Sequence, residues 1–150
     1  MSTRSMILRE EEDGRYLGIY CHYDGHVEHN GRILTTHYKS RKKVCELLGL
    51  GDLSRLAPRL RPRSDRPHNF SSAQSDVCVF FGRDRGEIVT RAEYVTLEKL
   101  NKDGNIEFTY VYGLDGEWRY FEHKQLNDGL KEICVEVYPK IRKYAKLNNE

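Results

Sequence analysis

SMILREEEDGRYLGIYCHY, residues 5–23, contains two apolar runs on either side of an acidic turn that ends at Gly14. This arrangement predicts a β-hairpin, because a turn signal separates two runs rich in apolar and aromatic residues. We expect its strands at about residues 5–9 and 15–22. Alternate side chains of an extended strand share one face. The better core face of the second strand is formed by Leu17, Ile19 and Cys21.

The rest of the chain predicts short helices between strands. DVCVFF, residues 76–81, is β-branched and aromatic and predicts a central strand. IEFTYVYG and EWRYFE, within residues 106–122, flank LDG and predict a second hairpin. From Leu126 a helical period in apolar residues predicts a terminal helix, which Pro139 should kink or end. Short helices or helical turns are predicted after capping side chains at Asn30, Ser40, Asp52 and Thr96.

Together these elements predict a single α+β domain over residues 1–150. Its sheet should be mostly antiparallel, with about five to six strands, short helices and a C-terminal helix, because no segment shows clear β-α-β spacing. One connection is an Arg/Pro-rich loop, residues 57–75, with the sequence APRLRPRSDRPHNFSSAQS. Loops of this length are unusual inside a compact domain, so we predict that it is functional or mobile.

Composition predicts a cytoplasmic protein with no membrane span. Apolar residues make up 38 % and charged residues 32 % of the chain, which is within the globular range. No apolar run approaches the roughly 18 residues that a spanning helix needs. The start, MSTRSMILREEEDGR, has no apolar stretch of the kind found in secretory signals. The four cysteines lie far apart in apolar surroundings, which favours buried free thiols over disulfides.

Charge is distributed unevenly along the chain. The net charge is +2, but residues 31–66 alone carry ten basic and three acidic side chains, a local charge of +7. Such a segment suggests an anionic partner: a nucleotide, a nucleic acid or an acidic protein surface. The alternative is a solvated loop that aids solubility. If the segment binds an anion, its candidate contacts are the loop arginines Arg59, Arg61, Arg63 and Arg66.

YCHYDGHVEHNGR, residues 20–32, concentrates titratable side chains around a turn. His22, His26 and His29 have a spacing that zinc can use, but no helix brings them onto one face and no good fourth ligand is near. We therefore expect no metal and no cofactor. His22 with Asp24 can form a general acid/base pair. The remaining interpretation is a structured turn with partly exposed histidines.

FFGRDRGE, residues 80–87, is the second concentrated segment. Arg83 and Arg85 flank Asp84, Glu87 follows, and two glycines free the backbone. Arginines can bind phosphate through paired hydrogen bonds, and glycine amides can add to such a site. The segment is not a P-loop, because the G-x-x-x-x-G-K-[ST] pattern is absent. Alternating charges can equally form an internal salt-bridge network that fixes a turn.

Several segments together resemble a family of small phage-encoded proteins. The segments are MSTRS, IYCHYDGHVEHNGRIL, LGDLSRL, FGRDRGE and YGLDGEWRYFE. Members of that family open with M-S-T-R-S, carry Y-C-H-W-D-G-Y and G-R-D-R-G-E, and contain a D-G-x-W hairpin. This chain departs from the pattern at Tyr23, where the family has tryptophan, and at His26, where it has tyrosine. The resemblance covers about residues 1–121. It implies no established reaction, although small accessory phage proteins often counter host defences.

With that resemblance, the favoured hypothesis is a non-enzymatic protein that sequesters a nucleotide-derived immune signal in the host cytoplasm. Aromatic rings would stack on bases, at about 1–3 kcal/mol each, and arginines would neutralise the phosphates. The expected ligand-binding residues are Tyr20, His22, Tyr23, Asp24, His37, Tyr38, Arg83, Asp84, Arg85 and Glu87.

Two alternatives remain open. The first is an inhibitor that binds a host defence nuclease or its nucleic acid through the basic loop. The second is a small phosphodiester hydrolase that uses His22 and Asp24. We expect the protein to act as a homo-oligomer.

Overall fold

One mixed β-sheet organises the molecule. The computed structural model describes residues 2–88 and 91–123 in full, and beyond these the strand backbones of Leu130–Val137 and Ile141–Lys146. The described strands are β1 (Ser5–Glu10), β2 (Tyr16–Cys21), β3 (Leu53–Arg55), β4 (Val79–Phe80), β5 (Glu93–Val95), β6 (Phe108–Tyr112), β7 (Trp118–Glu122), β8 (Leu130–Val137) and β9 (Ile141–Lys146). Their order in the sheet is β4-β3-β2-β1-β6-β7-β9-β8, and β5 pairs with β2 beside this path.

The pairing pattern confirms the predicted α+β class. Both predicted hairpins form, as the antiparallel pairs β1–β2 and β6–β7. Antiparallel pairing also joins β2 to β5, β3 to β4 and β8 to β9, whereas β1–β6, β2–β3 and β7–β9 are parallel. The sheet is therefore mostly antiparallel, but it has more strands than predicted because several are only two or three residues long and two replace the predicted terminal helix.

The helices cover both faces of the sheet. A π-helical turn, Val27–Gly31, leads into α1 (Arg32–His37) and is followed by α2 (Arg41–Gly49). These pack over the larger core, and α4 (Leu97–Asn101) packs over a smaller one on the opposite face. Alternation along β1 explains the two layers, since Ile7 belongs to the larger core and Leu8 to the smaller. The remaining helix, α3 (Phe81–Arg85), directly follows β4.

Two of the four predicted caps are confirmed. Ser40 accepts a hydrogen bond from the Lys43 amide at the start of α2, and Thr96 caps α4 in the same way. Asn30 was wrongly predicted as a cap: it is buried, and Gly31 precedes α1. Asp52 caps no helix either, because its carboxylate accepts from the Tyr20 amide and the chain continues as β3. Partial burial raises the pKa of Asp52.

Two strand predictions need correction. Residues 77–80 of DVCVFF are buried, but only Val79–Phe80 forms a strand, and β4 lies at one end of the sheet rather than at its centre. The predicted C-terminal helix is wrong over Leu130–Val137 and Ile141–Lys146, which are paired strands. Its predicted start at Leu126 and the predicted kink at Pro139 lie outside the described residues.

The cysteines and the helix lengths test two further predictions from the sequence. Cys21 and Cys78 are buried free thiols, as predicted, and burial raises the pKa of Cys21 to about 12. Cys45 is exposed instead, because it lies on the outer side of α2. Among the described helices, none is long and apolar enough to cross a membrane.

Gly25, in the turn after β2, has a packing requirement that only glycine meets. A Cβ built there would lie 2.7 Å from the Ser5 Cβ and 2.8 Å from the Thr3 carbonyl oxygen. We expect Gly25→Ala to lower the free energy of unfolding by about 1–3 kcal/mol, as overpacking does elsewhere. Gly49→Ala is the control, because its Cβ would meet nothing within 4 Å. Chemical denaturation measures both, and equal stability of the two variants would contradict the expectation.

Candidate functional site: a basic groove beside the second helix

The most cationic cavity described in the structure is a groove between α2 and the start of the long loop. Its volume is about 480 Å³. Four cationic side chains line it against one carboxylate, and the full set, called the basic groove below, is Ser40, Lys42, Lys43, Glu46, Pro58, Arg59, Leu60 and Arg61. A positive cavity of this size suits a phosphorylated small molecule.

The first turn of α2 forms one side of the basic groove. The Ser40 cap fixes where the helix begins, so Lys42 and Lys43 project from its first turn. The Lys43 ammonium donates to the Pro58 carbonyl at 2.8 Å and lies 4.4 Å from the centre of the Tyr38 ring. Partial burial lowers the pKa of Lys43. Lys43 therefore joins the two sides of the groove, while Lys42 remains exposed.

Residues 57–61 form the opposite side, called the wall segment below. The carbonyl of Ala57 accepts from the Tyr38 hydroxyl at 2.7 Å, and that of Pro58 accepts from Lys43. The carbonyl of Arg59 accepts from the Cys78 amide at 2.9 Å. The next carbonyl, that of Leu60, accepts from the guanidinium of Arg83. Four successive carbonyls are thus bonded by Tyr38 after α1, Lys43 of α2, Cys78 before β4 and Arg83 of α3, so the wall segment has a defined position.

Arg83 belongs to a polar cluster that holds this wall. Its guanidinium donates to the Leu60 and Cys78 carbonyls and pairs with Asp84 at 2.9 Å. The Asp84 side chain is only 3 % exposed and also accepts from the Phe80 amide. His68 is 2 % exposed and lies 3.3 Å from Asp84. The Arg83–Asp84 half of FFGRDRGE thus forms internal bonds, which favours the structural interpretation of these two residues.

The four loop arginines separate into two groups. Arg59 and Arg61 line the basic groove, and neither forms an ion pair with a carboxylate in the described part of the chain. Arg63 makes two parallel bonds to Asp76, at 2.7 and 2.8 Å, which lower the pKa of that carboxyl to about 2. Arg66 is exposed and lies 3.4 Å from Asp65. Arg59 and Arg61 are therefore available to bind an anion, whereas Arg63 is already paired with Asp76.

The turn after β2 forms a local hydrogen-bonded unit. His22 Nδ1 lies 2.7 Å from the hydroxyl of Tyr20, rather than being bonded to Asp24. The Tyr23 ring is 46 % exposed and packs edge-on against the His22 ring. Asp24 is exposed and takes a left-handed φ of 56°. Over the described residues, no group of three His, Cys, Asp or Glu side chains is arranged to hold a metal ion.

The other predicted ligand residues differ in their exposure and in their contacts. Tyr38 is fully buried, so its ring is unavailable for stacking on a base. His37 is exposed at the end of α1. Arg85 is exposed, lies over the Phe70 ring at 4.8 Å and is 3.8 Å from Glu87. None of the predicted ligand residues, in these segments or in the turn after β2, lines the basic groove.

A larger cavity, of about 540 Å³, lies between β1, α2 and the residues after α3. Its charged lining residues are Arg9, Glu87 and Arg91. Arg9 already pairs with Glu11 at 2.5 Å and donates to the Cys45 sulfur. Because this cavity has one carboxylate and one neutralised arginine, it is a weaker candidate for a phosphorylated ligand than the basic groove.

The two lysines of the basic groove were not among the residues predicted from the sequence to bind a ligand. The helix after Ser40 was predicted from its cap, and no ligand role was assigned to Lys42 or Lys43 in its first turn. The signal was present, because the run SRKK lies inside the segment of charge +7. What the sequence did not reveal is the contact between Lys43 and Pro58, fifteen residues apart.

The chain was compared with known proteins at three levels. No family model, no curated protein and no solved structure matches it.

Gln74 organises the distal part of the long loop. Its side chain is almost fully buried, accepts from the Arg63 amide at 2.9 Å and donates to the carbonyls of Arg63 and Arg66. We expect Gln74→Ala to speed amide hydrogen exchange at residues 63–67 by about tenfold or more, because three bonds are lost. Ser71→Ala, which removes an exposed hydroxyl bonded to Asn69, is the control. Unchanged exchange in Gln74→Ala would contradict this role.

Proposed function

We propose that this protein is a non-enzymatic binder that sequesters a nucleotide-type, phosphorylated ligand in the basic groove. The observation that carries the proposal is the convergence of Lys42, Lys43, Arg59 and Arg61 on one cavity of about 480 Å³. Phosphate oxygens accept several charge-assisted hydrogen bonds, and arginine can supply two of them at once. The resemblance to phage-encoded proteins suggests that the ligand is a host immune signal.

Pre-organisation supports binding at this position. The wall segment is held by four hydrogen bonds before any ligand arrives, so little backbone entropy remains to be lost. Arg59 and Arg61 extend from this fixed backbone into solvent. Their charges are not offset by ion pairs in the described part of the chain, so a phosphate does not have to displace a carboxylate from them.

Binding without turnover is the favoured mode for a local reason. The one hydroxyl-bearing side chain in the basic groove is Ser40, and its oxygen already accepts from the Lys43 amide. His22, the predicted general base, is bonded to Tyr20 in a different turn. The groove thus supplies charge and shape, and no imidazole or second carboxylate lines it to activate a nucleophile.

The proposal is tested by titrating linear and cyclic nucleotides into the protein at several salt concentrations. We expect at least one to bind, with an affinity that falls as salt rises, because phosphate contacts by Lys and Arg are screened. Mass spectrometry of ligand released by denaturation should recover it intact. Recovery of a cleaved ligand would instead support the hydrolase, and no binding of any nucleotide would overturn the proposal.

One observation favours the second candidate, a blocker of a host defence nuclease. Phe70 at the loop tip is 39 % exposed, lies 5.7 Å from the Phe81 ring and is covered in part by Arg85. Aromatic and arginine side chains are enriched at protein interfaces. Capture of a defence nuclease by the ligand-free protein, lost in Phe70→Ala, would support this candidate.

A further inference from the structure

A second, smaller cavity adjoins the basic groove across Pro58, which lines both. Its volume is about 220 Å³. Small-molecule sites usually measure about 300–1,000 Å³, so this cavity is too small for a whole ligand and suits one part of it. The cavity, called the side pocket below, is lined by Glu28, His29, Arg32, Ile33, Thr36, His37 and Pro58.

The residues that line the side pocket carry less net positive charge than those that line the basic groove. It contains one guanidinium, that of Arg32, and one carboxylate, that of Glu28, so its formal charges cancel. Ile33 and Pro58 add apolar surface, and two imidazole rings add flat faces. Such a lining favours a neutral ring over a phosphate, because a phosphate would meet the carboxylate of Glu28.

The His29 ring is hydrogen-bonded to the side chain of its neighbour Asn30. The Asn30 amide nitrogen donates to the Ser5 hydroxyl at 3.2 Å and to the Cys21 sulfur at 3.4 Å, so its oxygen faces His29. That oxygen lies 2.8 Å from His29 Nδ1, so Nδ1 carries the hydrogen in the tautomer that makes this bond. In the neutral ring the other nitrogen, Nε2, is then a hydrogen-bond acceptor.

We infer that the side pocket receives the nucleoside end of the ligand whose phosphates lie in the basic groove, with His29 as acceptor for a donor group on the base or ribose. This inference rests on the proposed function and adds which end of the ligand binds where. It explains why two cavities of different charge share one proline, because a nucleotide has an anionic end and a neutral, ring-bearing end.

The test compares ADP with inorganic pyrophosphate, which has the phosphates and lacks the nucleoside. The wild-type protein should bind ADP at least about tenfold more tightly, which corresponds to about 1.4 kcal/mol. Thr36→Trp fills the side pocket from an exposed helical position, and should reduce the ratio to near one without changing pyrophosphate binding. His29→Ala should also reduce the ratio, with folding checked by thermal melting.

Each outcome decides one claim. A wild-type ratio near one, or a ratio that survives Thr36→Trp, overturns the side pocket as the nucleoside site. A ratio that survives His29→Ala alone overturns the role of that acceptor. The proposed function fails separately, if neither ligand binds or if Arg59→Glu with Arg61→Glu leaves both affinities unchanged.

Discussion

Replacing Arg83 with alanine is expected to lower the free energy of unfolding by about 2–4 kcal/mol, while Arg85→Ala changes it by less than about 1 kcal/mol. Arg83 donates to the carbonyls of Leu60 and Cys78 and pairs with Asp84, whose side chain is 3 % exposed. The substitution therefore leaves a buried carboxylate with fewer donors. Because Arg83 is itself one quarter exposed, the expected loss is below that of a fully buried pair.

The two variants are matched controls for each other. Both arginines belong to α3 and carry the same charge, but Arg85 is exposed, lies over the Phe70 ring and is 3.8 Å from Glu87. In a chain of 150 residues, the loss expected for Arg83→Ala lowers Tm by roughly 5–15 °C. Arg83→Ala should also weaken ligand binding, because it releases the Leu60 carbonyl of the wall segment. Wild-type melting together with lost nucleotide binding would instead make Arg83 a direct phosphate ligand.

Reversing two charges of the basic groove is expected to weaken nucleotide binding by at least about 100-fold. The variant is Arg59→Glu with Arg61→Glu. Each arginine can supply a charge-assisted hydrogen bond of about 1.5–3 kcal/mol to a phosphate, and each glutamate repels it. Tenfold in affinity corresponds to about 1.4 kcal/mol, so losing both contacts exceeds two orders of magnitude. Titration calorimetry at fixed salt measures the change.

A second double variant controls for net charge. Arg66→Glu with Arg85→Glu changes the total charge by the same amount, and both side chains are exposed and lie outside the basic groove. It should reduce affinity by only a few-fold, through long-range electrostatics that salt screens. Equal losses in the two double variants would mean that overall charge, and not the groove, attracts the ligand.

The parts of the fold that the sequence predicted are those set by local patterns. The hairpins follow from strands with a turn between them, and Ser40 and Thr96 cap the helices that begin directly after them. Asn30 and Asp52 also have side chains that can cap a helix, but each is hydrogen-bonded to a residue distant in sequence. The Asn30 amide donates to the Ser5 hydroxyl, and the Asp52 carboxylate accepts from the Tyr20 amide. The sequence around Asn30 and Asp52 does not distinguish these two residues from Ser40 and Thr96, which do cap helices.

The wrong predictions concern segments whose structure depends on pairing with distant parts of the chain. The sequence of Leu130–Val137, LKEICVEV, is compatible with the apolar period of a helix and with the alternation of a strand. It forms a strand, and it pairs with β9. DVCVFF has the composition of a central strand, yet β4 lies at the end of the sheet, and Asp76 and Cys78 before it are bonded to Arg59 of the wall segment. Arg59 and Arg61 were predicted from charge alone, whereas the position of the lysines opposite them depends on the contact between Lys43 and Pro58, which are distant in sequence.

The central claim is that a nucleotide binds in the basic groove, and NMR mapping tests it most directly. Nucleotide is added to ¹⁵N-labelled protein, and amide shifts are followed to saturation. We expect the largest changes at the amides of Lys42, Lys43 and residues 59–61, and we expect the same ligand concentration to cause no comparable change in Arg59→Glu with Arg61→Glu. Changes centred instead on residues 20–25 or 83–87, or no saturable change at any amide, would contradict it.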